Sequence, residues 1–265
     1  MSFREHVEKK LQREEKSYEI EQLMKEKRSE EYEVLEEVFD RSTLMVIYGF
    51  MNGGVIDRIF GVVKAGKESR VYWGKNKEGK ELAIKIYLTV SAEFRKGMLK
   101  YIEGDPRFRG VKRDTRSLIF AWAQKEFKNL ELATKAKVRV PQPFAVKNNV
   151  LVMEFIGKNG VSASSLKEQP PKNPEKSYKT LISYLQRLYR KAELVHGDLS
   201  EYNIMIWKGC TVIFDMSQAV PLAHPMANLL LNRDIININK YFRRLRVEVL
   251  PEEEVYKVVT GGGTA

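Results

Sequence analysis

The stretch 194–217 restricts the possible fold of this chain more than any other. Within it, Asp198 is followed five positions later by Asn203, then by two short apolar runs, and then by Asp215. The runs predict a β-hairpin that turns at residues 208–210 and brings Asn203 and Asp215 together. Asp198 can orient an attacking group, and amide and carboxylate oxygens suit Mg²⁺, so the pattern indicates metal-dependent phosphoryl transfer. An ordinary hairpin whose Asp and Asn only cap turns is the alternative.

Three segments resemble the catalytic motifs of protein kinases. His196-Gly-Asp-Leu with Asn203 resembles H-R-D-L-x-x-x-N, Asp215-Met-Ser resembles D-F-G, and the run ending at Lys85 resembles V-A-I-K. The resemblance implies ATP and Mg²⁺ as cofactors. The residues it marks as catalytic are Lys85, Asp198 and Asp215, and those it marks as metal ligands are Asn203 and Asp215.

Lys85 is the one charged residue in the apolar run 82–86. Burying an ammonium is costly unless an opposite charge compensates for it. The kinase resemblance implies that Lys85 binds ATP phosphates and pairs with a helix glutamate. We expect the partner to be Glu126, with Glu131 as the second choice, because both lie in a predicted helix over 117–135. A lysine on an edge strand that reaches into water is the alternative.

Two further segments are candidates for nucleotide binding. A turn between predicted strands offers backbone N–H groups, a lysine and a hydroxyl to phosphate oxygens, although it matches neither G-x-G-x-x-G nor a Walker A motif. The strand 150–156 ends where it would link two lobes, so that its backbone could bind the adenine edge. An ordinary β-turn and an ordinary buried strand are the alternatives. The candidate residues are Gly66, Lys67, Glu68 and Ser69 in the turn, and Met153, Glu154 and Ile156 in the strand, besides Lys85, Glu126, Asn203 and Asp215.

The charge of the chain is positive and unevenly distributed. Its 46 Lys and Arg outnumber its 35 Asp and Glu, a net charge of +11. Residues 1–40, however, contain 8 Lys and Arg against 13 Asp and Glu, so the positive excess belongs to the remainder. Such an excess favours polyanions, either nucleotides or RNA. Solubility alone, or the charge-rich surface of a heat-adapted protein, is the alternative.

Composition excludes several other classes. The single cysteine, Cys210, excludes an internal disulfide and a cysteine-based metal cluster. The absence of a run of about 18 apolar residues argues against a membrane helix. The first ten residues lack the apolar core of a signal peptide, so we expect a cytoplasmic protein without membrane contact.

The order of predicted elements indicates an α+β fold with two lobes. Three strands, a helix over 117–135 and a hairpin precede a loop over 157–176, and the remainder is mainly helical. Strands followed by helices differ from the alternation of βαβ units. We expect a helical N-terminal extension at residues 1–54, an N-lobe with an antiparallel sheet and one helix at 55–153, and a reduced helical C-lobe at 154–265.

The full set of motifs resembles the RIO family of atypical kinases, in particular its first subfamily, over about residues 45–245. Only 50 residues follow Asp215, and the Ala-Pro-Glu motif of conventional protein kinases is absent. The second subfamily carries an N-terminal winged-helix domain, of which the charge-rich N-terminal stretch shows no sign. The segments that carry the resemblance are Gly66-Lys-Glu-Ser69, Ile84-Lys85, Trp122-Ala-x-Lys-Glu126-x-x-Asn-Leu130, Val152-Met-Glu-Phe155, Val195-His-Gly-Asp-Leu-Ser-Glu-Tyr-Asn203 and Asp215-Met-Ser-Gln-Ala219.

The resemblance implies a serine/threonine protein kinase that depends on ATP and on Mg²⁺ or Mn²⁺, phosphorylates itself and helps to mature the small ribosomal subunit. Some family members look more like ATPases that pass phosphate to the metal-binding aspartate, here Asp215. A nucleotide-gated assembly module with little turnover and a small-molecule kinase of the aminoglycoside or choline type are the alternatives. The oligomeric state stays open.

The stretch 88–116 is left open by the kinase motifs. The family has a flexible, sometimes phosphorylated loop here, and Ser91 is the candidate modification site. Arginines interleaved with Phe94, Tyr101 and Phe108 could contact RNA or close over the nucleotide. A solvated mobile loop is the alternative.

Overall fold

The computed structural model describes residues 39–89 and 92–262, with the side chains of 92–96 left out. Nearly all of the charge-rich stretch predicted as helix over 3–40, and the candidate modification site Ser91, lie outside the described residues. The first described element is helix α1 (Arg41–Asn52), which begins at the Asp40 cap. The Asp40 carboxylate accepts the N–H of Ser42 at 3.0 Å, which satisfies a donor that the helix start leaves free.

Five antiparallel strands form one sheet in the order β1-β2-β3-β5-β4. The predicted meander and the predicted hairpin are joined because β3 pairs with β2 on one side and with β5 on the other. This central position leaves Lys85 only 6% exposed, which excludes the edge-strand alternative. The strands are β1 (Arg58–Ala65), β2 (Ser69–Lys75), β3 (Glu81–Tyr87), β4 (Pro143–Lys147) and β5 (Val150–Glu154).

The two faces of the sheet are covered by different helices. The apolar side of α1, with Ile47 at its centre, packs with Ile84 and Val152 of the sheet in one cluster. The opposite face belongs to the main core, to which helix α3 (Thr115–Lys135) contributes Trp122. Apolar burial of this kind supplies most of the stability of such a layered fold.

The stretch 88–116 contains more regular structure than the sequence indicated. Helix α2 (Ala92–Ile102) and a single 3₁₀ turn (Pro106–Phe108) lie within it. Tyr101 and Phe108 are 2% and 9% exposed and both pack near the Trp122 ring, with centroids 6.3 Å away. The expectation that these two aromatics face RNA or the nucleotide is therefore wrong.

Three short pairs of strands lie in the remainder of the described chain, among its helices. A small hairpin occupies part of 157–176, which was predicted to be loop; Asn159 and Gly160 at its turn have positive φ values, as tight hairpins require. The pairs are β6–β7 (Gly157–Lys158, Val161–Ser162), β8–β11 (Leu194–Val195, Val220–Pro221) and β9–β10 (Ile204–Trp207, Cys210–Ile213).

Three helices complete the C-terminal half as the sequence predicted. Across the described part of the chain, no helix has both the length and the apolar character that crossing a bilayer requires. The three C-terminal helices are helix α4 (Pro174–Ala192), helix α5 (Ala227–Arg244) and helix α6 (Glu252–Thr260). Helices α4 and α5 contact strand β8, and α6 packs against these two helices, so the large sheet and these helices are segregated as in an α+β fold.

Candidate active site

A cleft of about 730 Å³ lies between the five-stranded sheet and the β9–β10 hairpin. Its size is that of a small-molecule or cofactor site. The structure brings together here ten residues that the sequence had suggested from separate segments. They are Gly66, Lys67, Glu68, Ser69, Lys85, Met153, Glu154, Ile156, Asn203 and Asp215.

Lys85 pairs with two carboxylates at the back of this cleft. Its Nζ lies 2.8 Å from Glu126 Oε1 and 3.4 Å from Asp215 Oδ1, so Glu126 is the partner, as predicted. Burial opposes the Lys85 charge, but Asp215 and Glu126 outweigh burial and raise the pKa of the ammonium above its ordinary value. Tyr87 donates its hydroxyl to Glu126 Oε2, which fixes the second carboxylate oxygen. Lys85 therefore stays protonated and aimed at the cleft.

The β9–β10 hairpin places Asn203 beside Asp215. Ile204 pairs with Ile213, and the N–H of Phe214 donates to the Asn203 carbonyl at 3.1 Å. Residues twelve apart in sequence thus meet at one end of the hairpin, because hairpin pairing closes the intervening chain.

Asp198 is tied to the same hairpin end through Asn203. Asn203 Nδ2 donates to the Asp198 carbonyl at 2.8 Å and to Asp198 Oδ2 at 3.2 Å. Burial raises the pKa of the Asp198 carboxyl, although the hydrogen bond from Asn203 opposes this effect. A carboxylate with a raised pKa is a better proton acceptor than a free aspartate.

The donor set fits a hard divalent cation. Because Asn203 Nδ2 is used by Asp198, the oxygen Oδ1 is the atom left to face the cleft. Burial raises the pKa of Asp215, but Lys85 and the Ser217 N–H outweigh burial and hold it well below its usual range, so the carboxylate is ionised. One amide oxygen and one carboxylate, open to a cleft wide enough for phosphates, match the coordination habit of Mg²⁺.

The Gly66–Ser69 turn closes one edge of the cleft. The Gly66 N–H donates to the Ser69 carbonyl at 2.9 Å, and the Leu88 N–H donates to the Glu68 carbonyl at 3.0 Å. The turn is therefore an ordinary closed turn whose remaining N–H groups, together with Lys67 and Ser69, border the cleft. Burial and the nearby Asp215 raise the pKa of Glu68, which also lines the cleft that holds the predicted metal ligands.

The strand end 153–156 forms the opposite wall. The Glu154 carboxylate accepts two hydrogen bonds from Arg139, at 2.8 and 2.7 Å, and the Glu154 N–H donates to the Gln142 carbonyl at 2.8 Å, so the carbonyl of Glu154 is the group left for a ligand. The Ile156 carbonyl accepts the Ala163 N–H at 2.8 Å, whereas the Ile156 N–H donates to no other described residue. Met153 is 6% exposed and packs behind this edge.

Several supporting residues were not assigned a role from the sequence. Asp234 of α5, which is fully buried, accepts the N–H groups of Gly197 and Leu199 at 2.8 Å each and so holds the loop on both sides of Asp198. Arg233, next to it, donates to the Gly197 carbonyl. An aspartate in the apolar run of α5 was the available signal, since a buried acid needs partners.

Comparison with known proteins shows which family this arrangement belongs to. A family model described as the RIO domain matches residues 70–255. The chain belongs to the RIO family. It is 41% identical over 238 residues to the RIO-type serine/threonine-protein kinase Rio1 of Haloferax volcanii, which covers 90% of this chain and 81% of that protein. The Rio1 of Methanocaldococcus jannaschii is also 41% identical, over 93% and 84% of the two chains. These relatives confirm the predicted first subfamily and the predicted phosphotransferase class.

More distant RIO proteins agree with this assignment. Human serine/threonine-protein kinase RIO1 is 37% identical over 85% of this chain, which spans 40% of the human protein. The crystal structure of the Rio2 kinase from Chaetomium thermophilum superposes with a TM-score of 0.61 at 25% identity, over 82% of this chain and 67% of that one. The protein-kinase-like fold expected from the sequence is thus confirmed.

Proposed function

We propose that this chain is an ATP- and Mg²⁺-dependent serine/threonine protein kinase whose metal ligands are Asn203 and Asp215. The observation that carries the proposal is the meeting of Lys85, Asn203 and Asp215 in one cleft, with Asp198 hydrogen-bonded to Asn203. These four groups supply a fixed positive charge, two oxygen ligands and a proton acceptor, which together are what phosphoryl transfer requires.

The four groups divide the chemistry among them. Lys85 holds phosphate oxygens of ATP, and Asp198 takes the proton of the acceptor hydroxyl while the hydroxyl oxygen forms a bond to the γ-phosphorus. The bond between that phosphorus and the bridging oxygen breaks, and ADP leaves. When bound, Mg²⁺ neutralises charge on the phosphate oxygens. The backbone at Glu154 and Ile156 holds the adenine edge, with Met153 behind it, and the turn at Gly66–Ser69 borders the phosphates.

A second route uses Asp215 itself as the acceptor. Its carboxylate is held ionised beside Lys85, which is the state that a nucleophile needs. Attack of a carboxylate oxygen on the γ-phosphorus gives an acyl phosphate and ADP, and hydrolysis of the acyl phosphate completes an ATPase cycle. The position of the Asp215 carboxylate in the cleft, 3.4 Å from Lys85 Nζ, is the observation that favours this route.

The finer expectations from the RIO resemblance extend the proposal. We infer a role in maturation of the small ribosomal subunit, a cytoplasmic location, use of Mn²⁺ in place of Mg²⁺, and autophosphorylation with Ser91 as the candidate site. The net charge of +11 supports a polyanionic partner such as ribosomal RNA. We propose the same division as the sequence indicated, with an extension at 1–54 and lobes at 55–153 and 154–265.

Labelling with γ-labelled ATP and Mg²⁺, followed by acid quench and hydroxylamine, tests the proposal. Label that survives hydroxylamine is a phosphorylated hydroxyl and supports the kinase, whereas label released by hydroxylamine is an acyl phosphate and supports the Asp215 route. The Asp215→Asn variant is the control and should give neither label nor ADP. Tight ATP binding without label or ADP release in the unaltered chain would contradict both routes and leave a nucleotide-gated module.

A further inference from the structure

The segment that follows Asp215 has irregular backbone, and residues of another element hold its carbonyl groups. Residues 214–219 lie between β10 and β11, so the carbonyls within this segment have no strand partners. Lys125 Nζ donates to the Ser217 carbonyl at 2.8 Å, and Asn129 Nδ2 donates to the carbonyls of Met216 and Ala219 at 2.8 and 3.0 Å. Three backbone carbonyls within four residues are thus fixed by two side chains.

Lys125 and Asn129 are four residues apart on α3 and point from the same helix face. Lys125 is 2% exposed and Asn129 is fully buried, and the Lys125 ammonium lies 4.1 Å from the Trp122 ring centroid. An amine buried against a carbonyl and a ring costs stability that an apolar side chain would not. Burial and the nearby Arg107 lower the pKa of Lys125 to about 7, the direction expected for an amine in such surroundings. Packing alone does not account for a lysine here.

The held segment is coupled directly to the metal-binding carboxylate. Asp215 Oδ1 accepts the Ser217 N–H at 3.0 Å, and Lys125 holds the carbonyl of the same residue. The Ser217 N–H shares its peptide unit with the Met216 carbonyl, which Asn129 holds, and Lys125 holds the carbonyl of the next unit. Rotation of either peptide unit would therefore disturb the contact to Asp215. Helix α3 also carries Glu126, the partner of Lys85, so one rigid helix sets the positions of Lys85 and Asp215 together.

A third residue supports Asn129 from outside α3. Arg107, in the 3₁₀ turn after α2, donates to Asn129 Oδ1 at 2.6 Å and to the Ala219 carbonyl at 3.1 Å. Its orientation is fixed by Asp105, which is 2.6 Å away and buried. The stretch between β3 and α3 thus contacts the same segment, and its Arg107 completes the set of donors.

We propose that Lys125 and Asn129, supported by Arg107, are positioning residues that fix the Asp215 carboxylate for metal binding by holding the carbonyls of residues 216–219. This inference rests on the proposed role of Asp215 as a metal ligand. None of the three residues lines the cleft, so they act through the backbone and not through contact with nucleotide or metal. Loss of one donor should weaken metal binding. It should leave unchanged the strand end at Met153 and Ile156, which is called the adenine wall below.

The test compares Lys125→Met with Lys128→Met, a matched change at an exposed lysine of the same helix. ADP affinity is measured by titration calorimetry in MgCl₂ and again in EDTA, with thermal unfolding as the control for folding. We expect Lys125→Met to weaken Mg²⁺-dependent ADP binding by about tenfold, as the loss of an outer-shell partner of a metal site does. ADP binding in EDTA should change less than about twofold, because the adenine wall is untouched. Lys128→Met should match the unaltered chain in both media.

Two results would overturn the positioning role: equal weakening in MgCl₂ and EDTA, or behaviour of Lys125→Met that is the same as that of Lys128→Met. If Lys125→Met does not fold, Arg107→Ala replaces it, because the Arg107 side chain is 25% exposed and tolerates truncation better. It should act in the same direction. The Asp215→Asn variant distinguishes failure of the positioning role from failure of the proposed metal ligand. If Mg²⁺ still strengthens ADP binding normally in Asp215→Asn, the proposed metal ligand is wrong, and not merely its support.

Discussion

Asp234 holds the residue on each side of Asp198: its two oxygens accept the N–H groups of Gly197 and Leu199, each at 2.8 Å. The acid reaches the loop from α5, and it is fully buried. Because both contacts are to backbone, they fix the direction in which the Asp198 side chain leaves the loop. In the proposed mechanism Asp198 takes the proton of the acceptor hydroxyl, and precise placement of such a group is worth several orders of magnitude in rate.

Asp234→Asn should therefore slow phosphoryl transfer more than it weakens nucleotide binding. An amide offers one acceptor oxygen and turns an NH₂ group towards the second N–H, so one contact is lost. We expect turnover to fall by at least about tenfold, since a buried hydrogen bond to a charged group is worth about 1.5–3 kcal/mol. Steady-state kinetics with ATP, alongside ADP calorimetry, measures the two effects separately. Asn232→Ala, at an exposed position of α5, is the matched control; an equal loss in both variants would contradict the role given to Asp234.

Variants of the Lys85–Glu126 pair allow a loss of stability to be distinguished from a loss of activity. Lys85→Met leaves Glu126 buried beside Asp215 without its counter-ion, and breaking a buried pair in this way typically costs about 3–5 kcal/mol. The double variant Lys85→Met with Glu126→Gln removes the stranded charge, so urea unfolding should recover part of that loss. Turnover in both variants should stay at least about a hundredfold below that of the unaltered chain, because the phosphate-binding charge is missing in each.

The opposite pattern would remove the phosphate-binding role. If turnover returns in the double variant together with stability, Lys85 serves only to neutralise Glu126. Lys128→Met with Glu131→Gln, at an exposed pair of the same helix, gives the baseline, and we expect it to alter stability by less than about 1 kcal/mol.

The sequence predicted the parts of the site that chemistry alone requires. A buried ammonium needs a carboxylate, and the kinase resemblance implied a helix glutamate, for which Glu126 was the first choice and Glu131 the second in the predicted helix over 117–135. The pairing of Asn203 with Asp215 followed from a hairpin of local sequence, for which register depends on only a few residues. The three strands and the hairpin were predicted, whereas their union into one sheet depends on the long-range pairing of β3 with β5.

The supporting residues could not be found in the same way. Asp234 lies 36 positions beyond Asp198 and meets its loop only after α5 packs, so no local pattern connects the two. Lys125 and Asn129 belong to a segment that carried the family resemblance, yet their partners are backbone carbonyls, which every residue possesses. Helix α2 was missed because Gly97 interrupts it and its stability depends on core contacts of Met98 and Tyr101.

Two residues of the catalytic loop and its support, His196 and Asp234, should make the free energy of unfolding depend on pH in opposite directions. Burial lowers the pKa of His196 to about 4, from 6.5 in the unfolded chain, so between these values the unfolded chain binds the extra proton and stability falls as pH falls. Burial raises the pKa of Asp234 to about 7, from 3.8, so between those values the folded chain binds the extra proton and stability falls as pH rises.

In urea unfolding of the unaltered chain at pH 4.5, 5.5 and 6.5, the two effects on the free energy of unfolding should therefore oppose each other. His196→Gln removes the first effect, so its stability should decline as pH rises across this range relative to the unaltered chain. Asp234→Asn removes the second effect, so its stability relative to the unaltered chain should increase with pH. Across this range each of the two relative changes should be on the order of 2 kcal/mol. Glu248→Gln, at an exposed position, is the control and should run parallel to the unaltered chain. Relative slopes of the same sign in the two variants would contradict the assignment.

Arg139 should affect nucleotide binding although it lies outside the cleft. It donates two hydrogen bonds to the Glu154 carboxylate and a third to the Val140 carbonyl at 2.6 Å, which holds the strand end that forms the adenine wall. The pair is partly exposed, at 32% and 23% of the two side chains, so Arg139→Ala should cost only about 1 kcal/mol of stability. The KM for ATP should rise about threefold with kcat nearly unchanged, because binding is altered equally in the ground state and the transition state.

The Arg243–Glu252 pair offers the comparison for this last variant, since its ions are also 2.8 Å apart but lie on α5 and α6, away from the cleft. Arg243→Ala should leave the KM for ATP unchanged. At about 1 M salt the stability cost of either variant should shrink, because a Debye length near 3 Å screens exposed pairs, whereas the KM effect of Arg139→Ala should persist, since it reflects the geometry of the strand end. A KM effect that vanishes with salt would mean that Arg139 attracts the nucleotide through its charge and does not shape the adenine wall.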